Sequence, residues 1–344
     1  MVKKIVWIVV LVLLVFFAQG RAETVLGEVV HPSGIYIDGG QLFVVDFPKV
    51  HIYSLKDLSL RASFGKEGEG PGEIRGFARL MFDGGQIIVE HHMRFSYFSR
   101  DGKFVKERKI PVSFNRGVQK MGNIWVVSHT DRRQDKPDLT DLTVNIYNDR
   151  FEREREIYRV PYFFQLNKPI NAIYLPEADR RSGIRFFVHG DEIFVEGEEG
   201  ETGNIYVFDQ NGKKLRTLTY QYPRLEVTDA HVAAVVEHHR LKKRRLYDIL
   251  KQRGQILIPD AFPAIQYLAV TGDKIYSIPY KKVEESYQLL EFDLQGRLLQ
   301  KRSVPIEAET MFSFYPFTIH DGRMFQLQEN SDEEWELRIM SITS

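Results

Sequence analysis

The stretch that most constrains this chain is Phe64-Gly65-Lys66-Glu67-Gly68-Glu69-Gly70-Pro71-Gly72-Glu73-Ile74. Four glycines and a proline in eleven residues exclude helix interior and central strand, so it is an exposed connector. The flanking segments match each other. Gly34-Ile35-Tyr36-Ile37-Asp38-Gly39-Gly40-Gln41-Leu42-Phe43-Val44-Val45-Asp46 precedes it, and Ala78-Arg79-Leu80-Met81-Phe82-Asp83-Gly84-Gly85-Gln86-Ile87-Ile88-Val89-Glu90 follows. Each is an apolar run, an Asp-Gly-Gly turn, a second apolar run and an acidic residue. Asp-Gly is a strong hairpin signal because tight turns need positive φ.

The same unit recurs, with turn glycines at 39, 84, 122, 190, 272 and 322. A second hairpin follows most of these, turning at Asp101-Gly102, Asn148-Asp149, Asn211-Gly212 and Gln295-Gly296. Four antiparallel strands per unit is the blade of a β-propeller. The sixth unit lacks its last strand, and Thr24–Val30 remains unassigned at the other end. The expected fold is all-β: a six-bladed β-propeller over 23–344, closed by the N-terminal strand, with no exposed edge left at the join.

The connector Phe64-Gly65-x-x-Gly68-x-Gly70-Pro71-Gly72-Glu73 and the strand with Asp-Gly after it resemble NHL-type and related TolB-like six-bladed propellers, a secreted bacterial six-bladed β-propeller family. The resemblance spans the chain after residue 22, but the clear connector occurs once. Later blades match in hairpin rhythm, so the resemblance implies a fold and no particular activity.

Met1–Ala22 reads as a secretory signal peptide. Lys3 and Lys4 precede an apolar run of 14 residues, Ile5–Ala18, too short to span a bilayer comfortably, with small residues beyond it for cleavage. A secreted or periplasmic protein is expected, with membrane contact only if this segment stays uncleaved. The 47 basic residues balance 47 acidic ones, which argues against a nucleic-acid partner. With no cysteine, disulfides, thiolate metal sites, thiol nucleophiles and lipidation at an N-terminal cysteine are all excluded. A monomer is expected.

Two insertions interrupt the blades. Pro161–Gly183 holds Tyr162, Phe163, Phe164 and Tyr174 with Arg180 and Arg181. About 226–254, between blades four and five, Val232, Val235, Val236, Ile249 and Leu250 fall at helical spacing, with Thr228 or Asp229 to cap the start and Gly254 to end it. One long helix or two short ones are expected there, carrying the basic run Lys242-Lys243-Arg244-Arg245. That run reads either as a solvated face or as a site for an anionic surface or partner.

In propellers of the kind this chain resembles, the loop after each second strand opens on one face. The residues ending those strands are Asp46, Glu90-His91-His92, Ser128-His129, Glu196, Tyr280 and Gln328-Glu329. Carboxylates and neutral imidazoles are what a zinc-like metal or an acid–base pair requires, so Asp46, Glu90, His91, His92, His129, Glu196, Tyr280 and Glu329 form the candidate ligand-binding set. The subset Glu90, His129 and Glu196 would take a divalent metal, although no cofactor is firmly implied. Adjacent strand residues point to opposite faces, so only one of His91 and His92 can face such a site. Asp at a strand end also commonly bonds turn amides. No G-x-S-x-G elbow, P-loop or H-E-x-x-H occurs. His238-His239, beside Glu237 in the helical insertion, reads as structural or solvated. The leading expectation is a binding module for a protein, peptide or glycan. The alternative is a metal-dependent hydrolase or lyase at the mouth of the central channel.

Overall fold

In the computed structural model, residues 22–342 are described, apart from 77, 111–116, 133–139, 163–169, 172–183, 200–201, 243, 255 and 311–312. The expected signal peptide therefore lies outside the described residues up to Arg21. So do most of the first insertion, including Phe163, Phe164, Tyr174, Arg180 and Arg181, and Lys243 of the basic run.

Six four-stranded antiparallel sheets form the six blades of a β-propeller. Blade one is Gly34–Asp38, Gln41–Asp46, Lys49–Ser54 and Leu60–Phe64. Blade two is Ala78–Asp83, Gln86–His91, Arg94–Ser99 and Phe104–Lys109. Blade three is Gly117–Met121, Ile124–Arg132, Thr140–Tyr147 and Arg153–Tyr162. Blade four is Phe186–His189, Glu192–Glu199, Thr202–Asp209 and Lys214–Gln221. Blade five is Ile265–Thr271, Lys274–Pro279, Tyr287–Asp293 and Leu298–Val304. Blade six takes three strands from the end of the chain, Phe317–His320, Arg323–Glu329 and Trp335–Ser341, and its fourth, Ala22–Val25, from the beginning.

Local chemistry explains both hairpins of a blade. All six turns between first and second strands have two residues. In Gly39-Gly40, Gly84-Gly85 and Asp321-Gly322 both have positive φ, as a type I′ turn demands. In Gly122-Asn123, Gly190-Asp191 and Gly272-Asp273 only the leading glycine does, the mark of type II′. Three turns between third and fourth strands, and the turn between the second and third strands of blade six, follow another rule. Asn148, Asp209, Asp293 and Asn330 each accept, on one side-chain oxygen, the amides two and four residues on. A positive-φ residue ends each turn: Gly212 and Gly296, but also Phe151 and Glu333. The side-chain cradle holds this turn without glycine, which is why the turn at Asn330 carries no glycine signal in the sequence.

The chain forms two compact units, Met1–Glu107 with Phe314–Ser344, and Arg108–Ser313. In the first, apolar layers lie between blades one and two (Phe43, Val45, Ile52, Ile87, Val89, Phe98) and between blades six and one (Leu26, Val29, Val44, Tyr53, Phe325, Leu337). In the second they lie between blades three and four (Val126, Val144, Ile193, Val195) and between four and five (Phe194, Val207, Leu268, Ile275). Counted from the turn, even positions of a second strand thus face the preceding blade of the unit and odd positions the following one.

Two helices, α1 (Asp229–Lys242) and α2 (Arg244–Gln252), occupy the insertion between blades four and five. Thr228 Oγ1 caps α1 by accepting the His231 amide at 3.4 Å, and Gly254 ends α2 with φ +62. The two insertions join: Ile170–Asn171 of the first pairs in parallel with Ile256–Leu257, just after α2.

Leu26, directly after the N-terminal strand, is 2% exposed in the layer between blades six and one. Leu26→Ala is therefore expected to cost about 2–4 kcal/mol by denaturant unfolding. A loss under about 0.5 kcal/mol, the scale of an ordinary surface change, would show that the N-terminal segment is not integral to that blade.

Candidate functional site

The candidate residues do not share one face, and the period of a strand is the reason. Asp46, His91, His129 and Gln328 stand sixth in their second strands, whereas Glu90 and Glu196 stand fifth. Fifth and sixth positions point to opposite faces of a blade. Two of the strands also run past the expected ends, so His129 and Glu196 lie three residues inside them.

Each sixth-position residue is one end of a polar chain that crosses its own blade. In blade one the Asp46 carboxylate accepts the amides of Val30 (3.0 Å) and His31 (2.6 Å), and His51 Nε2–H lies 3.4 Å away. His51 Nδ1 then accepts the Ser63 hydroxyl at 2.8 Å. Burial disfavours the Asp46 anion, but the His51 bond and the two amides outweigh it and hold its pKa below the usual value. In blade two the Arg75 amide donates to His91 Nδ1 (3.3 Å), so Nε2 carries the proton and donates to Ser96 Oγ (2.9 Å). Ser96 in turn donates to Glu107 at 3.4 Å. In blade three His129 Nδ1–H faces Asp131 Oδ1 at 3.1 Å, while Nε2 accepts from Tyr147 OH (2.9 Å) and Asn145 Nδ2 (3.1 Å). Burial lowers the pKa of both His91 and His129, consistent with neutral rings.

The other blades repeat the plan. Gln328 donates to Glu336 at 2.7 Å, and Arg338 connects Glu336 (3.0 Å) to Glu23 on the N-terminal strand (3.1 Å). In blade five Gln288 donates to Ser303 at 2.7 Å, and in blade four Thr219 donates to Asn204 at 2.8 Å. Blade four has Gly197 at the sixth position because a Cβ there would lie 2.5 Å from the Tyr206 ring. The recurrence gives Asp46–His51–Ser63 its meaning. It has the residue types of a hydrolytic triad, yet His51 stands opposite the fourth position of its second strand, where blades two and three carry the tying residues Ser96 and Asn145, so it reads as a cross-strand tie.

The fifth-position residues differ. Glu196 is forked by Arg185: Nη2 lies 2.8 Å from Oε1, and Nε bonds Oε2. The same guanidinium donates to the carbonyls of Ile265 and Gln266, both at 2.7 Å, clamping blade four to blade five. Glu90 is 13% exposed, with Arg79 at 3.4 Å, and burial pushes its carboxyl up to about 7 against the weaker pull of that arginine. Tyr280 is buried against Phe262 (5.3 Å between centroids), which also meets the His231 ring of α1 at 4.9 Å, so Tyr280 anchors the helical insertion. His92 and Glu329 are exposed, His92 in the turn after its strand with φ +31. Among the described residues, no three His, Asp or Glu side chains are grouped as a metal would need.

The partners His51, Ser96, Asn145, Asn204 and Gln288 escaped the sequence reading. Their signal was present as single polar residues inside apolar third strands, as in Val50-His51-Ile52, Phe95-Ser96-Tyr97 and Val144-Asn145-Ile146.

Fold and site together define a six-bladed β-propeller whose polar strand ends are internal ties. No protein-family model matches the chain, and no curated protein sequence does. Among solved structures it is similar to the WD40 domain of Neurospora crassa Pan2, at 9% identity and TM-score 0.43, covering 92% of each chain. It is also similar to Hsv2 of Kluyvelomyces marxianus, at 9% identity and TM-score 0.38, covering 91% of this chain and 86% of that one. Neither likeness bears on ligand or activity.

Glu90 makes a measurable contribution to pH dependence. Its folded pKa, about 7, lies above the unfolded value, so between about pH 4.5 and 7 the folded state holds a proton that the unfolded state releases. Stability should fall as pH rises through that window. Glu90→Gln should remove about 1–3 kcal/mol of the fall between pH 5 and 8. An identical pH slope in the variant would refute the assignment.

Proposed function

We propose that this protein is a binding module acting outside the cytoplasm, of the NHL-like or TolB-like propeller type, presenting a rigid surface to a protein, peptide or glycan. The observation that carries it is the contrast between blade and insertion. Most of the polar side chains of the blades that chemistry would recruit are tied to neighbouring groups, although His92 and Glu329 are exposed. The two insertions are instead clipped together through Ile170–Asn171 and Ile256–Leu257. Ile258, next to the clip, is 40% exposed, an apolar residue on a loop held by a stiff scaffold, where binding residues concentrate. The apolar run and small residues of Met1–Ala22 support a location outside the cytoplasm.

A photo-crosslinking residue at position 258, introduced into the full chain in its own cells, should give a discrete adduct, absent when the crosslinker stands at exposed Asp57. Adducts at Asp57 and none at 258 would remove the insertions from the binding surface. Purified protein should contain no stoichiometric metal and keep its melting temperature in chelator. Bound metal together with a melting point several degrees lower in chelator would overturn the binding-module reading in favour of a metal-dependent enzyme.

A further inference from the structure

The end of the helical insertion where α1 meets α2 reads Arg240-Leu241-Lys242-Lys243-Arg244-Arg245. From Arg240 to Arg253 there are seven basic residues and one acidic, in a chain whose charges balance. This stretch therefore carries +6 and the rest of the molecule −6. A charge separation of that size turns one end of a molecule toward an anionic surface. Arg240 shares its charge with Glu237 at 2.8 Å, and Arg245, in the first turn of α2, is exposed.

The apolar chemistry of this end is distinctive. Leu241 is 71% exposed, among the cations. It adjoins a crevice of about 350 Å³ between the helices, lined by Arg240, Leu241, Tyr247, Asp248 and Lys251. The insertion is fixed at its opposite end. The Thr228 cap, the Glu226–Ala261 bridge and the stack of His231 on Phe262 hold the start of α1, and Val235 is 2% exposed. The scaffold thus grips one end of the hairpin and leaves Leu241 exposed at the other.

We propose that this bend docks on an anionic phospholipid surface, with Leu241 entering the interface and the cations meeting headgroup phosphates. A protein partner buries an extended shaped surface, whereas the exposed apolar chemistry at this bend is one leucine, 71% exposed. Diffuse charge around one projecting apolar residue matches a fluid surface whose anions move to meet it. This contact is separate from the N-terminal apolar segment, and it uses other residues than the clip at Ile258. Partner crosslinking can therefore fail while lipid binding holds, and the reverse.

The test is flotation of the full chain with vesicles of equal parts phosphatidylcholine and phosphatidylglycerol, compared with pure phosphatidylcholine. Binding should favour the anionic vesicles and weaken with added salt. Lys242→Gln with Arg245→Gln should weaken it about 25-fold, roughly fivefold for each charge near the surface. Leu241→Ser should weaken it several-fold without changing the salt dependence. Unchanged melting temperatures would confirm that both variants fold. Equal binding to both vesicle types would assign the interaction to the N-terminal segment and overturn the proposal, as would wild-type affinity in the double variant. Binding to a polyglutamate peptide with the same variant dependence, and none to vesicles, would overturn it in favour of an acidic polypeptide.

Discussion

A strand inside a blade has both faces covered, and the rest of this structure depends on that constraint. Apolar side chains can fill either face, but a polar one has no water to turn to and must find its partner within reach. The chain meets much of the requirement by threading hydrogen bonds across the blade, from second strand to third to fourth, although Ser128 Oγ and Gln328 Oε1 are left without a partner. Asp46 reaches Ser63 through His51, and His91 reaches Glu107 through Ser96. In blade six the chain of contacts passes from Gln328 through Glu336 and Arg338 to Glu23, which belongs to the N-terminal strand. Polar ties of this kind help select one register. A slip by one residue would send every side chain of the strand to the other face and orphan the bonded groups.

The ties also determine what is left for function. A histidine whose two ring nitrogens are both engaged below the surface, such as His91 or His129, is poorly placed to take a ligand. Its depressed pKa reflects burial. Arg185 acts between blades, satisfying Glu196 and two carbonyls of blade five with one guanidinium. Only Arg carries the planar fork for that. The distinctive surface chemistry lies in the insertions, which need not fill the space between sheets. The helical insertion is rooted by Tyr280, Phe262 and His231, and the two insertions meet through two short parallel strands.

Much of the fold was legible because its signals are local. A two-residue turn that needs positive φ announces itself as Gly-Gly, Asp-Gly, Gly-Asn or Gly-Asp, and all six first hairpins lie where those pairs stand. The hairpin at Asn330 gave no such sign, because a side-chain cradle replaces the glycine there. The candidate site was legible only in part. Strand ends stand out in the sequence, but one residue of offset exchanges the faces, and Glu90 and Glu196 differ from His129 by that one position. The link between Ile170–Asn171 and Ile256–Leu257 left no trace, being two residues at each end and more than eighty positions apart.

By itself, then, the sequence determined the number of blades, the strand each blade borrows or contributes, the position of the helices and the concentration of charge at their bend. Those properties rest on backbone conformation and periodicity, which act over a few residues. The tertiary structure alone decided which polar residue answers which, that an Asp–His–Ser array is a tie like the Gln–Ser and Asn–Thr pairs of other blades, and that two separate insertions meet. Those outcomes depend on distances between residues far apart in the chain. Such distances come into being only when the sheets pack.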